Sequence, residues 1–341
     1  MAETPAQKAA AAAVAAIRKT FGRASAAMLL SEGGSAAEVT YVVPTGSAVL
    51  DRWIFGVGGL PGGRIVSISG QEGSGKTTLA TALIAACQRD GGIAMLSDNE
   101  CAYDPGWAVN VLGVDPDALV LAQAETADEV FESIEVGVEA VRKKVPADKA
   151  PILFVWDSVA STPTKREVEE GLTGEAAIGE KARLLSNRFN GRVQRFCMEQ
   201  NVTLLIVNQL REKIGQMYGD KWTEPGGNAI RFAASVRLRL HPVAKGSVKR
   251  GDEHIGRLVG VKTLKNKVAI PYRTCQLKLM FAHGFDEAWA VINHAKDLGV
   301  VPNDLVVDEA GVALSLEKLG WKGAKVLLIG GPSGKIGGDD A

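Results

Sequence analysis

Gly70-Gln71-Glu72-Gly73-Ser74-Gly75-Lys76-Thr77 lies between an apolar, β-branched run at residues 64–69 and an Ala- and Leu-rich helical pattern that begins near Thr77 and reaches Arg89. The octapeptide fills every fixed position of the phosphate-binding loop, and strand–loop–helix is the context that pattern requires. In such a loop the glycines let backbone N–H groups wrap phosphate oxygens, and the helix N-terminus adds partial positive charge. Residues 70–77 and Thr78 are therefore candidate ligands of a nucleoside triphosphate. Lys76 is expected at the β- and γ-phosphates and the Thr77 hydroxyl on Mg²⁺. The bland alternative, a chance glycine-rich turn, does not need the complete pattern in this context.

Outward from the loop, short apolar runs recur at residues 94–97, 152–156 and 204–207. They are apolar throughout rather than alternating, which suits strands buried on both faces. Between them Val130, Ile134, Val138 and Val141 recur at helical spacing, as do Ala182, Leu185, Phe189, Val193 and Phe196. Alternating strands and helices predict an α/β fold with a doubly wound, mostly parallel sheet. Val236, Leu238 and Leu240 alternate with Arg237 and Arg239, the pattern of an antiparallel extension with one wet face. Ahead of the core, residues 4–21 read as a helix, residues 31–35 as a breaker and residues 39–43 as a short strand. The expected organisation is an N-terminal oligomerisation helix and linker (1–36), a nucleotide-binding core (37–284), and a small α+β C-terminal region with a flexible tail (285–341).

The totals narrow the setting. The chain has 341 residues, 46% hydrophobic and 23% charged, with 39 basic and 39 acidic side chains. With no net charge, any affinity for nucleic acid must come from a local patch or from oligomerisation. Cys87, Cys101, Cys197 and Cys275 show no metal or redox spacing, which fits a reducing cytoplasm. The apolar run at residues 9–17 is too short for a membrane span and lacks the basic flank of a signal peptide.

Further candidates stand at strand ends, where open α/β sheets bind ligands. Asp157 ends the run 152–156 and is placed to hold Mg²⁺ through water; capping the next turn is the alternative. Asp98-Asn99-Glu100 follows the run 94–97, with Glu100 the candidate base for hydrolysis and Asp98 the rival. Gln209, after Asn208, is placed to sense a γ-phosphate. It opens a segment, residues 211–228, with little periodicity, and a loop of that length is functional or disordered.

These residues, with Thr45-Gly46-Ser47, Leu50-Asp51, Gly58-Gly59-Leu60-Pro61-Gly62-Gly63-Arg64, Asp104-Pro105, Asp157-Ser158-Val159-Ala160, Asn208-Gln209-Leu210-Arg211, Lys213-Ile214-Gly215, Gly226-Gly227-Asn228-Ala229 and Lys265-Asn266-Lys267, carry a resemblance. From about Gln7 to about Gly284 the chain resembles the bacterial RecA recombinase family. The resemblance implies that Glu100 is the catalytic glutamate, that Gln209 is the γ-phosphate sensor, and that Asp104 and Trp107 meet adenine. It implies that Lys265 and Lys267 reach into the neighbouring subunit's ATP, as an arginine finger does. It places DNA on two loops, residues 167–179 and 210–229, with Ile178, Gly179, Arg183, Arg211, Lys213, Met217, Tyr218, Gly226, Gly227 and Asn228 as contacts. It gives Arg231 and Phe232 a relay between subunits. The chain departs from the family at Asn190, commonly an Arg near DNA, so that contact is either absent or supplied by Arg188 or Arg192. It also departs after Phe285, where the strongly acidic tail is missing.

The implied protein is an ATP- and Mg²⁺-dependent recombinase. It would form a helical filament on single-stranded DNA, pair it with homologous duplex DNA, and hydrolyse ATP in response to DNA. A ring-shaped motor of helicase type and a nucleotide-gated DNA-binding regulator are the alternatives.

Overall fold

The computed structural model describes residues 3–22, 26–32, 38–171, 179–212 and 221–301. Ile178, Lys213, Met217 and Tyr218, expected to meet DNA, and residues 302–341, expected in the C-terminal region and tail, lie outside these. The chain divides into two compact units, Met1–Thr40 and Tyr41–Ala341. In the first, helix α1 (Pro5–Phe21) opens on a capping box, Thr4 with Gln7, and has Pro at its start. It closes on Gly22 in the left-handed conformation. Ile17 and Phe21 are exposed on it.

The second unit holds a nine-stranded sheet. Its chain order begins with β1 (Val42–Val43), a π-helical turn (Val49–Phe55) and β2 (Leu60–Pro61), then β3 (Ile65–Gly70), α2 (Lys76–Arg89), β4 (Ile93–Asp98), α3 (Pro105–Asn110) and β5 (Leu119–Ala122). After these come α4 (Ala127–Arg142), β6 (Ile152–Asp157), α5 (Lys165–Glu169), α6 (Glu180–Phe189), α7 (Arg192–Glu199) and β7 (Val202–Gln209). The rest is β8 (Arg211–Glu212), β9 (Trp222–Thr223), α8 (Ala229–Ala233), β10 (Val236–Arg250), β11 (Glu253–Asn266), β12 (Thr274–Met280), β13 (Gly284–Phe285) and α9 (Glu287–Asp297).

The sheet order is β13-β12-β11-β10-β3-β7-β6-β4-β5. From β10 to β5 the strands are parallel, and β11 to β13 continue antiparallel. The apolar runs form the centre, and β3 and β6 are buried throughout. Helix α2 covers one face through Leu79, Leu83 and Ile84, while Val130, Phe131, Ile134 and Val138 of α4 join the cluster on the other. Trp156, wholly buried, meets Phe131 edge-on at 5.5 Å, and its Nε1 donates to Thr162 Oγ1 at 2.8 Å. That bond fixes the turn after β6.

Several expectations are corrected. The strand at 39–43 is only Val42–Val43, and it pairs with β2 of its own chain. The stripe from Ala182 to Phe196 is two helices, because Gly191 takes φ 84° and stops the first. β10 is not purely antiparallel: it runs parallel to β3 on one side and antiparallel to β11 on the other. The segment 211–228 begins with β8, which pairs with β9 five residues before the segment's end. The loop expected from Glu167 starts inside α5, which a Thr164–Glu167 capping box holds.

Candidate functional site

The phosphate loop leaves the carboxyl end of β3, level with Gln209 of β7 and Leu240 of β10. A Cβ on Gly70 would lie 2.3 Å from Ser74 Oγ and 2.8 Å from Leu240 O, so only glycine lets the loop turn here. Gly73 and Gly75 take φ 66° and 86°. Ser74 Oγ and Lys76 Nζ both donate to Gln71 O, at 2.7 and 2.9 Å. Lys76 is buried, and burial lowers its pKa against the pull of Glu100, Asp157 and Glu72. Gln71 and Glu72 lie on the outer arm of the loop, and Thr78 sits half-buried in the first turn of α2.

Thr77 Oγ1 donates to Asp157 Oδ2 at 2.7 Å. Asp157 Oδ1 is buried and has no partner. Burial lifts the Asp157 carboxyl to about 6, helped by the charges of Glu100 and Asp98. A hydroxyl and a desolvated carboxylate with a spare oxygen are the hard oxygen donors that Mg²⁺ prefers, so these residues fit the metal. Asp98 pairs in register with Asp157, and the Asp157–Ser158 peptide is cis.

Asp98 and Glu100 separate cleanly. Asp98 spends its oxygens on backbone, accepting from Glu100 N at 3.2 Å and Tyr103 N at 3.0 Å. Glu100 Oε1 accepts from Ser158 Oγ at 3.2 Å, from Ser161 Oγ at 3.4 Å, and from Gln209 Nε2. The sequence does not single out Ser161, and shows Ser158 only inside a motif, because hydroxyls at the end of the adjacent strand, 61 and 58 residues along the chain, have no local signature. Asp104 caps α3 through Trp107 N at 3.0 Å, and Trp107 Nε1 donates to Phe281 O at 2.9 Å. Trp107 is thus held beside the end of β12.

Lys265 and Lys267 stand elsewhere. Lys265 pairs with Arg237, which is level with Ser67 of β3. That is three residues before Gly70, or roughly 10 Å back along the strand. Lys265 Nζ donates to Arg231 O and Phe232 O at 2.8 and 3.0 Å. Burial, then Lys267, Arg237 and Arg231, lower its pKa to about 8. The intervening Asn266 is buried. Its amide donates to Ile54 O and Phe55 O, and its Oδ1 accepts from Val268 N and Ala269 N. The two lysines are therefore presented by a fixed turn.

The ends of the two segments expected to hold DNA meet. Gly179 caps α6 at φ 84°, and Arg183 follows it exposed. A Cβ on Gly226, at φ 88°, would lie 2.6 Å from Leu185 Cδ1, and one on Gly227 would lie 3.0 Å from Ala182 Cβ. Asn228 caps α8. Arg211 is exposed at the other end of the segment, and Asn208 Nδ2 donates to Pro225 O at 2.9 Å. Glu224 and Arg237 form a bridge of 2.6 Å with both side chains nearly buried. Of the two substitutes for Asn190, Arg188 is engaged by Asp128 at 2.8 Å and lies over Phe131, whereas Arg192 is exposed, 3.5 Å from Glu135. Among the described residues no helix is long and apolar enough to cross a membrane.

A sequence profile of the RecA N-terminal domain matches residues 8–286. The Protein RecA of Bifidobacterium breve is 38% identical over 289 residues, covering 85% of this chain and 69% of that protein. That of Thioalkalivibrio sulfidiphilus is 38% identical over 305 residues, with 89% and 82% covered. That of Helicobacter pylori is 37% identical over 327 residues, with 94% and 88% covered. The match takes in the phosphate loop, the glutamate–glutamine pair and the lysine turn together, and the chain belongs to the RecA family.

Proposed function

We propose that this protein is an ATP-driven recombinase that polymerises on single-stranded DNA, pairs it with homologous duplex DNA, and hydrolyses ATP when DNA is bound. The observation that carries the reading is the hydrogen bond from Gln209 to Glu100. It joins the carboxylate placed to activate water to the strand from which the second DNA loop departs.

In this reading the backbone of residues 70–77 and Lys76 hold the triphosphate. Trp107 and Asp104 flank the base. Magnesium, held by Thr77 and through water by Asp157, would neutralise charge on the β- and γ-phosphates. Glu100 orients and deprotonates the attacking water. Gln209 bonds Glu100 in one state and the γ-phosphate in the other. Lys265 lies about 10 Å behind its own phosphate loop, and Lys267, whose N–H donates to Ser235 O, lies further back still. They therefore serve a neighbour's nucleotide, which makes ATP a bridge between copies. Helix α1, with exposed Ile17 and Phe21, is the docking element. A head-to-tail contact of that kind generates a helical filament.

DNA lies over Gly179, Arg183, Arg211, Gly226, Gly227 and Asn228, where backbone and cations meet phosphates without reading sequence. Electron microscopy with single-stranded DNA and a slowly hydrolysed ATP analogue tests this. Helical filaments are expected, and their absence, or closed rings, would overturn the reading.

A further inference from the structure

Arg257 lies against the phosphate loop, and what it does there rests on the reading that the loop holds a nucleotide. It is on β11, opposite Leu279 of β12 and paired with Ser247 of β10. Side chains two apart on a strand share a face, and Val259 shows which face this is. Val259 Cγ2 lies 3.5 Å from where a Cβ on Gly75 would sit, and Leu279 Cδ2 lies 4.0 Å from the same point. Arg257 reaches further along the loop, its Nη1 3.4 Å from the Cβ position of Gly73. Gly73, exposed and at φ 66°, places no side chain between that guanidinium and the crown of the loop.

Arg257 is half-buried, and its Nε is buried with no hydrogen-bond partner. Among the described residues no ion pair or hydrogen bond engages the side chain. Arginine cannot shed its charge, and a partly desolvated, unpaired cation is unfavourable unless an anion meets it. Its planar fork matches phosphate oxygens two at a time. The backbone of the loop's crown cradles the α- and β-phosphates, while the loop lysine reaches the β- and γ-phosphates. Arg257 borders that crown.

We infer that Arg257 is a nucleotide ligand in cis, gripping the diphosphate common to ADP and ATP. It differs in kind from Lys265 and Lys267, which answer to a neighbour's γ-phosphate. A cation that meets ADP and ATP alike contributes uniform binding, so it sets affinity and product retention rather than the chemical rate.

The test is titration of ribose-labelled fluorescent ADP and ATP with dilute protein in the absence of DNA, for wild type, Arg257→Ala, Arg257→Gln and Lys76→Ala. Both Arg257 variants should weaken ADP and ATP by the same factor, about ten- to hundred-fold, as for one charge-assisted hydrogen bond lost. Unchanged affinity, or a loss confined to ATP, would overturn the inference. Arg257→Gln keeps most of the side chain's bulk, so an effect of Arg257→Ala that Arg257→Gln does not share counts against it as well. If wild type fails to bind, or Lys76→Ala binds as wild type does, the nucleotide reading itself falls instead.

Discussion

Asp157→Asn removes a charge from a place where the fold holds it unfavourably. Burial lifts the Asp157 carboxyl from its usual 3.8 to about 6; the Thr77 hydrogen bond and Lys76 oppose this, while Glu100 and Asp98 add to it. With a folded-state pKa above the unfolded one, the folded protein binds this proton more tightly. The stability it confers is fully present below about pH 4 and is lost as pH rises through about 6. At about 1.4 kcal/mol per unit, the shift is worth about 3 kcal/mol at low pH, about 1.4 kcal/mol at pH 5 and almost nothing at pH 7.5.

The assay is urea unfolding at about pH 5 and about pH 7.5, in EDTA without nucleotide. Asp51 and Glu287 are also raised by burial, to about 6 and about 7, and titrate in the same direction. His241 and His294, lowered by burial, titrate in this range with the opposite sign. The wild-type slope alone therefore mixes several groups, and the difference between wild type and variant isolates one. Between these two conditions the variant should lose about 1.4 kcal/mol less stability than wild type. Equal losses would refute the claim that Asp157 sits desolvated, and with it the reading of its unpartnered oxygen as the one that faces a metal.

Glu100→Gln should keep ATP binding and DNA-bound filaments while lowering hydrolysis by about 10²–10⁴-fold, the range for a lost general base; turnover near wild type would return the role to Asp98. Lys265→Ala combined with Lys267→Ala should lower the DNA-stimulated rate by roughly 10³-fold, as for a lost finger in trans, while dilute protein still binds nucleotide; undiminished stimulation would show that neither lysine acts on a neighbour. Gly226→Val forces a β-branched residue to φ 88° and against Leu185, 2.6 Å from the new Cβ, at about 1–3 kcal/mol of strain. Its single-stranded DNA affinity, read by fluorescence anisotropy, should fall while ADP affinity holds, and a loss of both would mean that the two loop bases do not form a separate unit.

Much of the fold was legible because its centre is a run of strands apolar on both faces. Residues such as 152–156 carry that signal within themselves. The phosphate loop was legible because Gly70, Gly75, Lys76 and Thr77 each do a local job that few other residues can. What was not legible depends on partners far along the chain. Nothing near Asn266 shows that it bonds Ile54 and Phe55, and nothing near Arg257 points to Gly73. The break at Gly191 hid inside a periodic stripe because the apolar spacing survives the interruption even though the helix does not. The choice between Asp98 and Glu100 also needed coordinates: both are acids at one strand end, and only their bonds show that Asp98 is spent on backbone.

The coupling of ATP to DNA in this chain needs no long pathway, and β7 shows why. Adjacent strand residues point to opposite faces, and β7 ends in Asn208 and Gln209. Gln209 turns to one side and bonds Glu100. Asn208 turns to the other, where its amide holds Pro225 O, one residue from the glycine that seats on Leu185 of α6. One strand end therefore touches Glu100, the carboxylate proposed for hydrolysis, and the root of the loops proposed to hold DNA. The Glu100 Oε1 that accepts from Gln209 also accepts from Ser158 and Ser161, so this carboxylate is held from the end of the adjacent strand β6 and from the end of β7, the next strand beyond it. If Gln209 swings to a γ-phosphate as proposed, one of three donors leaves that oxygen and the strand end that carries Asn208 is disturbed. On the same proposal, DNA settling on the loops would reach Asn208 from the other side, through Pro225. Linkage makes the two effects equal and reciprocal in binding free energy, so a substitution at Asn208 that lowers the factor by which DNA raises ATP affinity must lower, by the same amount, the factor by which ATP raises DNA affinity.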